Sequence, residues 1–177
     1  MKLRVISGSL GGRLINSPPG NKTHPMSEKM RGAIFNILGN IEGLDVLDAY
    51  SGSGAIALEA ISRKAKSVIA IETDKKAIET IRNNISSLDV PVKATQANIS
   101  TWIDNNLNQQ FDIIIADPPY EKINLKHLNK LSLVLRMGGI LVLSLAPEYS
   151  KIEIENCQMI EIKSYGDSCL VFFRRLG

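Results

Sequence analysis

From residue 45 onward the chain alternates between short unbroken apolar runs and longer stretches whose apolar residues recur every three or four positions. The runs predict strands at 45–48, 67–72, 92–95, 111–116 and 140–145. The stretches predict helices at 55–63, 75–88, 99–106 and 125–135, the last stopped by Gly138-Gly139. Strands that lack polar alternation must be covered on both faces, which is the pattern of a parallel sheet between layers of helices. Near the C-terminal end the rhythm breaks. Residues 159–165 and 169–174 are strand-like and flank Gly166-Asp167-Ser168, a hairpin signal. The expectation is an α/β fold with a mostly parallel seven-stranded sheet and a C-terminal antiparallel hairpin.

The first 40 residues differ in kind. Residues 3–6 and 13–16 can pair across a glycine-rich stretch, and Pro18-Pro19-Gly20 then makes a turn. Ser27 is placed to cap a helix through Leu38, in which Met30, Ala33, Ile34, Ile37 and Leu38 recur at helical spacing. This segment is too short to bury a core of its own. The expected organisation is a hairpin-and-helix extension over 1–40 that packs on a main domain over 41–177.

Composition narrows the partners. A chain of 177 residues with 44% hydrophobic and 22% charged residues is an ordinary globular domain with a formal charge of +3. The charge is unevenly spread: Lys2, Arg4, Arg13, Lys22, Lys29 and Arg31 stand against Glu28 alone in the first 31 residues. Arg4, Arg13, Lys22, His24, Lys29 and Arg31 are therefore candidate contacts for a phosphate backbone. Cys157 and Cys169 lie far from any Cys/His cluster, so neither a disulfide framework nor a metal site is expected. The start carries no signal-peptide core and no later run reaches membrane-spanning length, so a cytoplasmic protein without a membrane partner, and a monomer, is the expectation.

The most informative motif is Asp117-Pro118-Pro119-Tyr120, directly after the Ile-rich run ending at Ala116. Open α/β sheets bind ligands at the carboxyl ends of their strands. Two prolines withdraw two N–H donors, leaving the Asp117 carboxylate and the Pro118 carbonyl as acceptors around one small volume. Such a site suits a planar amine, whose N–H groups it grips, with Tyr120 as a stacking face for the attached ring.

A second motif, Asp48-Ala49-Tyr50-Ser51-Gly52-Ser53-Gly54-Ala55, joins the first strand of the main domain to its first helix. Gly52 and Gly54 let backbone approach a ligand at a helix N-terminus. The third glycine of a dinucleotide fingerprint is missing, and no Gly-Lys-Ser/Thr follows, so neither a dinucleotide nor a P-loop site is indicated. Glu72, with Thr73, ends the second strand, where a carboxylate can take both hydroxyls of a ribose. Asn98 and Ile99 follow the third strand and can meet an adenine edge. Asp48 ends the first, placed for a cationic amino acid tail. Together these residues suit S-adenosylmethionine.

The stretch Asp48–Arg63, the Asp117–Tyr120 motif and the run from Pro25 to Leu38 together resemble the bacterial 16S ribosomal RNA guanine-N2 methyltransferases. The resemblance covers nearly the whole chain. It implies a Rossmann-like S-adenosylmethionine-dependent methyltransferase fold and, as acceptor, the N2 of one guanine in 16S rRNA of the small ribosomal subunit or an assembly intermediate. It also implies that Asp117, Pro118, Pro119 and Tyr120 hold the guanine, and that the donor, leaving as S-adenosylhomocysteine, lies against residues 51–55, Glu72, Asn98 and Ile99. The chain departs from the family pattern at His24-Pro25-Met26 (for Arg-Pro-Thr), at Tyr50 (for Phe) and at Asn98 (for Asp). Two alternatives share parts of the pattern: an adenine-N6 DNA methyltransferase, and a non-catalytic RNA-binding or assembly module.

Overall fold

The computed structural model describes residues 1–20 and 25–177. Two short strands, β1 (Lys2–Arg4) and β2 (Leu14–Asn16), pair antiparallel and are followed by helix α1 (Glu28–Leu38). The Ser27 side chain caps α1 by accepting from the Met30 N–H at 3.1 Å. Strands and helices then alternate: β3 (Asp45–Asp48), α2 (Ala55–Ser62), β4 (Ser67–Glu72), α3 (Lys75–Leu88), β5 (Val92–Gln96), α4 (Ile99–Asp104), β6 (Phe111–Ala116), α5 (Leu125–Leu131) and β7 (Leu135–Leu145). β8 (Cys157–Tyr165) and β9 (Ser168–Arg175) close the chain as a hairpin.

The main sheet has the order β5-β4-β3-β6-β7-β9-β8. β3, β4, β5, β6 and β7 pair parallel, whereas β9 pairs antiparallel with both β7 and β8. Alternate strand residues feed two hydrophobic layers. Val46, Ile113, Ile115, Val142 and Phe172 pack with α1, α2 and α3, while Leu47, Ile114, Leu141, Leu143 and Phe173 pack with α4 and α5. This double coverage explains the unbroken apolar runs. The sheet grows outward in both directions from β3 and β6, so their carboxyl ends form the switch point of the topology, where ligands of such sheets bind.

Two expected boundaries are corrected. The helix expected through 135 ends at Leu131 and is continued only by a 3₁₀ turn at Ser132–Val134. Gly138-Gly139 does not stop it, because that pair lies inside β7. There the register with β6 jumps from Phe111↔Leu135 to Ile113↔Ile140. The extra residues must fold out of the ladder. Gly138 does so at φ 76°, and a Cβ at Gly139 would sit 2.8 Å from the Arg136 carbonyl oxygen and 2.9 Å from that of Asp112. The helix expected over 99–106 likewise ends at Asp104.

The extension is fastened to α2 at Glu59 and Ser62: the Ser62 carbonyl and Oγ accept from the N–H groups of Ser9 (2.8 Å) and Leu10 (2.9 Å), and Glu59 is a fully buried carboxylate. Glu59 accepts from the N–H groups of Ile6 (2.7 Å) and Ser7 (3.0 Å) and from Arg63 Nε (2.8 Å). No helix among the described residues is long and apolar enough to cross a membrane.

Candidate active site at the carboxyl ends of the strands

Asp48 and Asp117 end neighbouring strands. β3 and β6 are in register through Asp48↔Ile115, and the Ala49 N–H donates to the Ile115 carbonyl at 2.9 Å, so the chain leaves the sheet at Ala49 beside the Asp117 motif. Glu72 ends β4 on the other side of β3. Three carboxylates thus end neighbouring strands, and the buried Asp48 carboxyl feels the charge of the other two. Burial, with Asp117 and Glu72 adding to it, pushes the Asp48 carboxyl up to about 7, although Ser51 and the Ala57 N–H pull it down. Burial also pushes Asp117 up to about 6, opposed by Ser144.

The glycine loop is built around Asp48. Its Oδ2 accepts from the Ala57 N–H at 3.1 Å, capping α2 from inside, while Ser51 Oγ donates to the Asp48 carbonyl at 2.9 Å. Gly52 and Gly54 take positive φ values of 53° and 78°, and a Cβ on Gly54 would press within 3.2 Å of Ile81. Ser53 is buried, and its carbonyl receives the Asn84 amide at 3.2 Å. The same buried Asn84 donates to the Asn16 carbonyl (2.9 Å) and accepts from the Asn16 N–H (2.9 Å), joining β2 to the loop. Ala55 opens α2 against the core, and half-buried Tyr50 packs on the opposite layer, its hydroxyl pushed up to about 12 by burial.

Glu72 is half-buried and accepts from the N–H groups of Gly52 (2.8 Å), Thr73 (2.7 Å) and Asp74 (2.9 Å). It therefore ties the glycine loop to the end of β4; Oε1, also 3.3 Å from Thr73 Oγ1, is fully taken, while Oε2 holds the Gly52 N–H and keeps a lone pair. Asn98 is exposed and caps α4, its Oδ1 accepting from the Ser100 N–H at 3.0 Å and the Thr101 N–H at 3.4 Å. The oxygen expected to accept from an adenine amino group is thus shared with two helix N–H groups. Ile99 is buried.

Pro118 is buried and Pro119 exposed, and Tyr120 opens a 3₁₀ turn at Tyr120–Lys122. The Tyr120 hydroxyl lies 2.8 Å from Ser144 Oγ. The sequence reading asked only for the ring and missed Ser144, a serine within an apolar strand. Strand register would have found it: Ala116 pairs with Leu143, so Ser144 stands beside Asp117.

Of the basic residues, Arg4, Arg13 and Lys29 are exposed. Lys29 Nζ sits 5.9 Å from the centroid of the Tyr165 ring, at the hairpin turn beside the end of β7. Lys22 and His24 lie outside the described residues. Arg31 is corrected: it is 1% exposed, donates to the Arg4 carbonyl and lies 3.8 Å from Glu59, so it cannot reach a phosphate. It occupies the buried face of α1 with Met30, Ile34 and Phe35, and the α2 carboxylate compensates its charge.

The donor set fits a cationic, phosphate-free nucleoside. Asp48 Oδ1 is buried without a hydrogen-bond partner among the described residues, so it calls for a donor such as an ammonium group. No basic side chain approaches the loop among the ion pairs of the described residues, where a phosphate ligand would want one. No group of metal-ligating side chains occurs among the described residues. A separate recess lined by Ile152, Ile154, Cys157, Met159, Ile162 and Phe173 lies at the hairpin edge and contains none of the three carboxylates.

A family model described as conserved hypothetical protein 95 matches residues 3–174. A Bacillus subtilis protein, YlbH, named as a candidate rRNA methyltransferase, is 34% identical over 131 residues, covering 71% of each chain. Ribosomal RNA small subunit methyltransferase D of Buchnera aphidicola (strain APS) is 34% identical over 68% of this chain, which spans 64% of that protein. An Escherichia coli structure named as a candidate methyltransferase, YhhF, superposes with a TM-score of 0.87 over 99% of both chains at 24% identity, a likeness of fold. With its mostly parallel seven-stranded sheet and its carboxylate-lined switch point, the chain belongs to the conserved hypothetical protein 95 family, the group of 16S rRNA methyltransferases that its motifs resemble.

Proposed function

We propose that this protein methylates the exocyclic N2 of a guanine in 16S rRNA of the small ribosomal subunit, with S-adenosylmethionine as donor. The observation that carries this reading is the juxtaposition of the half-buried Asp117-Pro-Pro-Tyr motif with the buried, donor-seeking Asp48 at the switch point. The names of the Bacillus and Buchnera relatives supply the RNA substrate. The donor, when bound, supplies an electrophilic methyl group.

The protein's own residues do the positioning. Asp48 Oδ1 takes the ammonium of the methionine end, Glu72 takes ribose hydroxyls, and Ile99 with the Asn98 amide borders the adenine. A stacked guanine cannot present N2, so the base must leave its stack, at a cost of a few kcal/mol in the absence of loop strain. Tyr120 stacking returns roughly 1–3 kcal/mol of that. Asp117 and the Pro118 carbonyl hold the two amine N–H groups, turning the nitrogen lone pair toward the methyl position. The contribution is orientation and electrostatics. The ammonium formed on transfer gives its proton to Asp117 or to water. Arg4, Arg13 and Lys29 grip phosphates at the rim, with the 1–40 extension as the RNA-facing part of the molecule.

The test is methyl transfer from labelled donor to small subunits, followed by nucleoside analysis. N2-methylguanosine in 16S rRNA, lost in Asp117→Ala, is the expected result. N6-methyladenine in DNA, or no transfer to either nucleic acid, would overturn it.

A further inference from the structure

Ser144 has no part in the motifs, yet its hydroxyl touches one of their members and its strand position adjoins another. It lies on β7 one residue past Leu143, the register partner of Ala116, and so stands beside Asp117. It is 1% exposed, in a strand whose neighbouring side chains Val142, Leu143 and Leu145 are all apolar and buried. A serine hydroxyl buried there needs a partner. It has one: the Tyr120 hydroxyl at 2.8 Å.

Each of the two hydroxyls has one proton to give, and an ionised carboxylate can only accept. One proton arrangement serves all three groups: Tyr120 donates to Ser144, and Ser144 turns its own proton toward Asp117. We propose that Ser144 is a positioning residue that joins Tyr120 to Asp117, so that the stacking ring and the amine-orienting carboxylate are held by a single buried hydroxyl. Its consequence for catalysis rests on the methyl-transfer reading; the Tyr120–Ser144 contact and the place of Ser144 one residue past the Ala116–Leu143 pair do not.

The arrangement has a direction. The Ser144 hydroxyl pulls the Asp117 carboxyl down, against the burial that pushes it up. The other ionisable groups about it are Asp48 from β3, which feels the Asp117 charge, Tyr120 from the 3₁₀ turn, and Cys169 from β9, which acts on Tyr120. Neither aspartate nor tyrosine can stabilise an ionised Asp117 by its own charge. Among the side chains of the described residues, Ser144 is the one that favours the ionised, accepting form of Asp117.

The experiment follows the Asp117 carboxyl by carbon NMR through a pH titration of the whole protein, with the resonance assigned from Asp117→Asn. Ser144→Ala is expected to raise the midpoint by about one unit, a tenfold change in proton affinity. Tyr120→Phe, which removes only the outer link, is expected to raise it by less. The acid limb of kcat/KM for methyl transfer moves with it, so Ser144→Ala loses roughly fivefold at pH 6 and little at pH 9. Ser144→Thr, which keeps the hydroxyl, restores both readouts. If Ser144→Ala does not fold, Ser144→Cys, similar in shape but a weaker donor, carries the same expectation. An unchanged midpoint in the folded variant overturns the proposal. If the unaltered protein transfers no methyl group, the functional reading fails, and the NMR midpoints still decide the role of Ser144.

Discussion

Replacing Glu59 with glutamine removes a charge while keeping the shape of a buried side chain, and the surrounding contacts set the cost. The carboxylate accepts from two backbone N–H groups and from Arg63, and it is the acid nearest the buried Arg31, whose Nε and Nη1 have no hydrogen-bond partner among the described residues. Burial already works against the Arg31 charge, lowering its pKa, with Glu59 opposing that shift. Glutamine has one acceptor oxygen where glutamate has two, so a buried donor is stranded along with the Arg31 charge. Removing one partner of a buried pair costs about 3–5 kcal/mol. Measured against a total of about 5–15 kcal/mol, that is a large share. At about 2–4 °C per kcal/mol for a chain of this size, Glu59→Gln should melt roughly 6–20 °C lower by circular dichroism. Adding Arg31→Met removes the stranded charge and should recover part of the loss. A drop under about 2 °C, or a double variant no more stable than Glu59→Gln alone, would refute the assignment of Arg31 as a compensated buried charge.

Three further outcomes follow from the site. Glu72→Ala should weaken S-adenosylmethionine binding by roughly 1.5–3 kcal/mol, since it removes ribose acceptors and frees the Gly52 N–H; unchanged affinity by calorimetry would remove Glu72 from the donor site. Asp48 and Asp117 have folded pKa values above the usual 3.8, so their contribution to stability is whole below that pH and lost as pH rises through about 6 and 7. A cationic donor favours ionised Asp48, so its affinity should rise from pH 6 to pH 8 with proton release, read by calorimetry in two buffers; a flat profile would deny the Asp48 contact. Reversing Arg4 and Arg13 to Glu should weaken RNA binding at low salt and lower the log-log salt slope by roughly 0.7–0.9 per lost contact, with donor affinity unaffected. Equal affinity and slope would move the RNA face elsewhere.

The strands and the glycine loop were legible because their signals are local. Each core strand declares itself by an apolar run, and the glycines at 52 and 54 mark a turn that takes positive φ at both. What escaped the sequence was set by partners distant along the chain. Arg31 reads as one more cation of a basic segment until α2 brings Glu59 to it. Ser144 is an ordinary strand residue until register sets it beside Asp117. Asn98 offers an acceptor on paper, and its own helix takes that acceptor first. Gly138-Gly139 carries a stop signal that serves helices and bulges equally, and only the pairing of β6 with β7 decides between them.

The Asn84 amide has three hydrogen bonds, and none is spare: two hold Asn16 and one holds the Ser53 carbonyl. The hairpin at the start of the chain and the glycine loop after β3 are thus coupled through one buried side chain, apart from the fastening on α2. Trimming the extension away would take two of the three partners of this buried amide and so loosen the glycine loop that the third one holds.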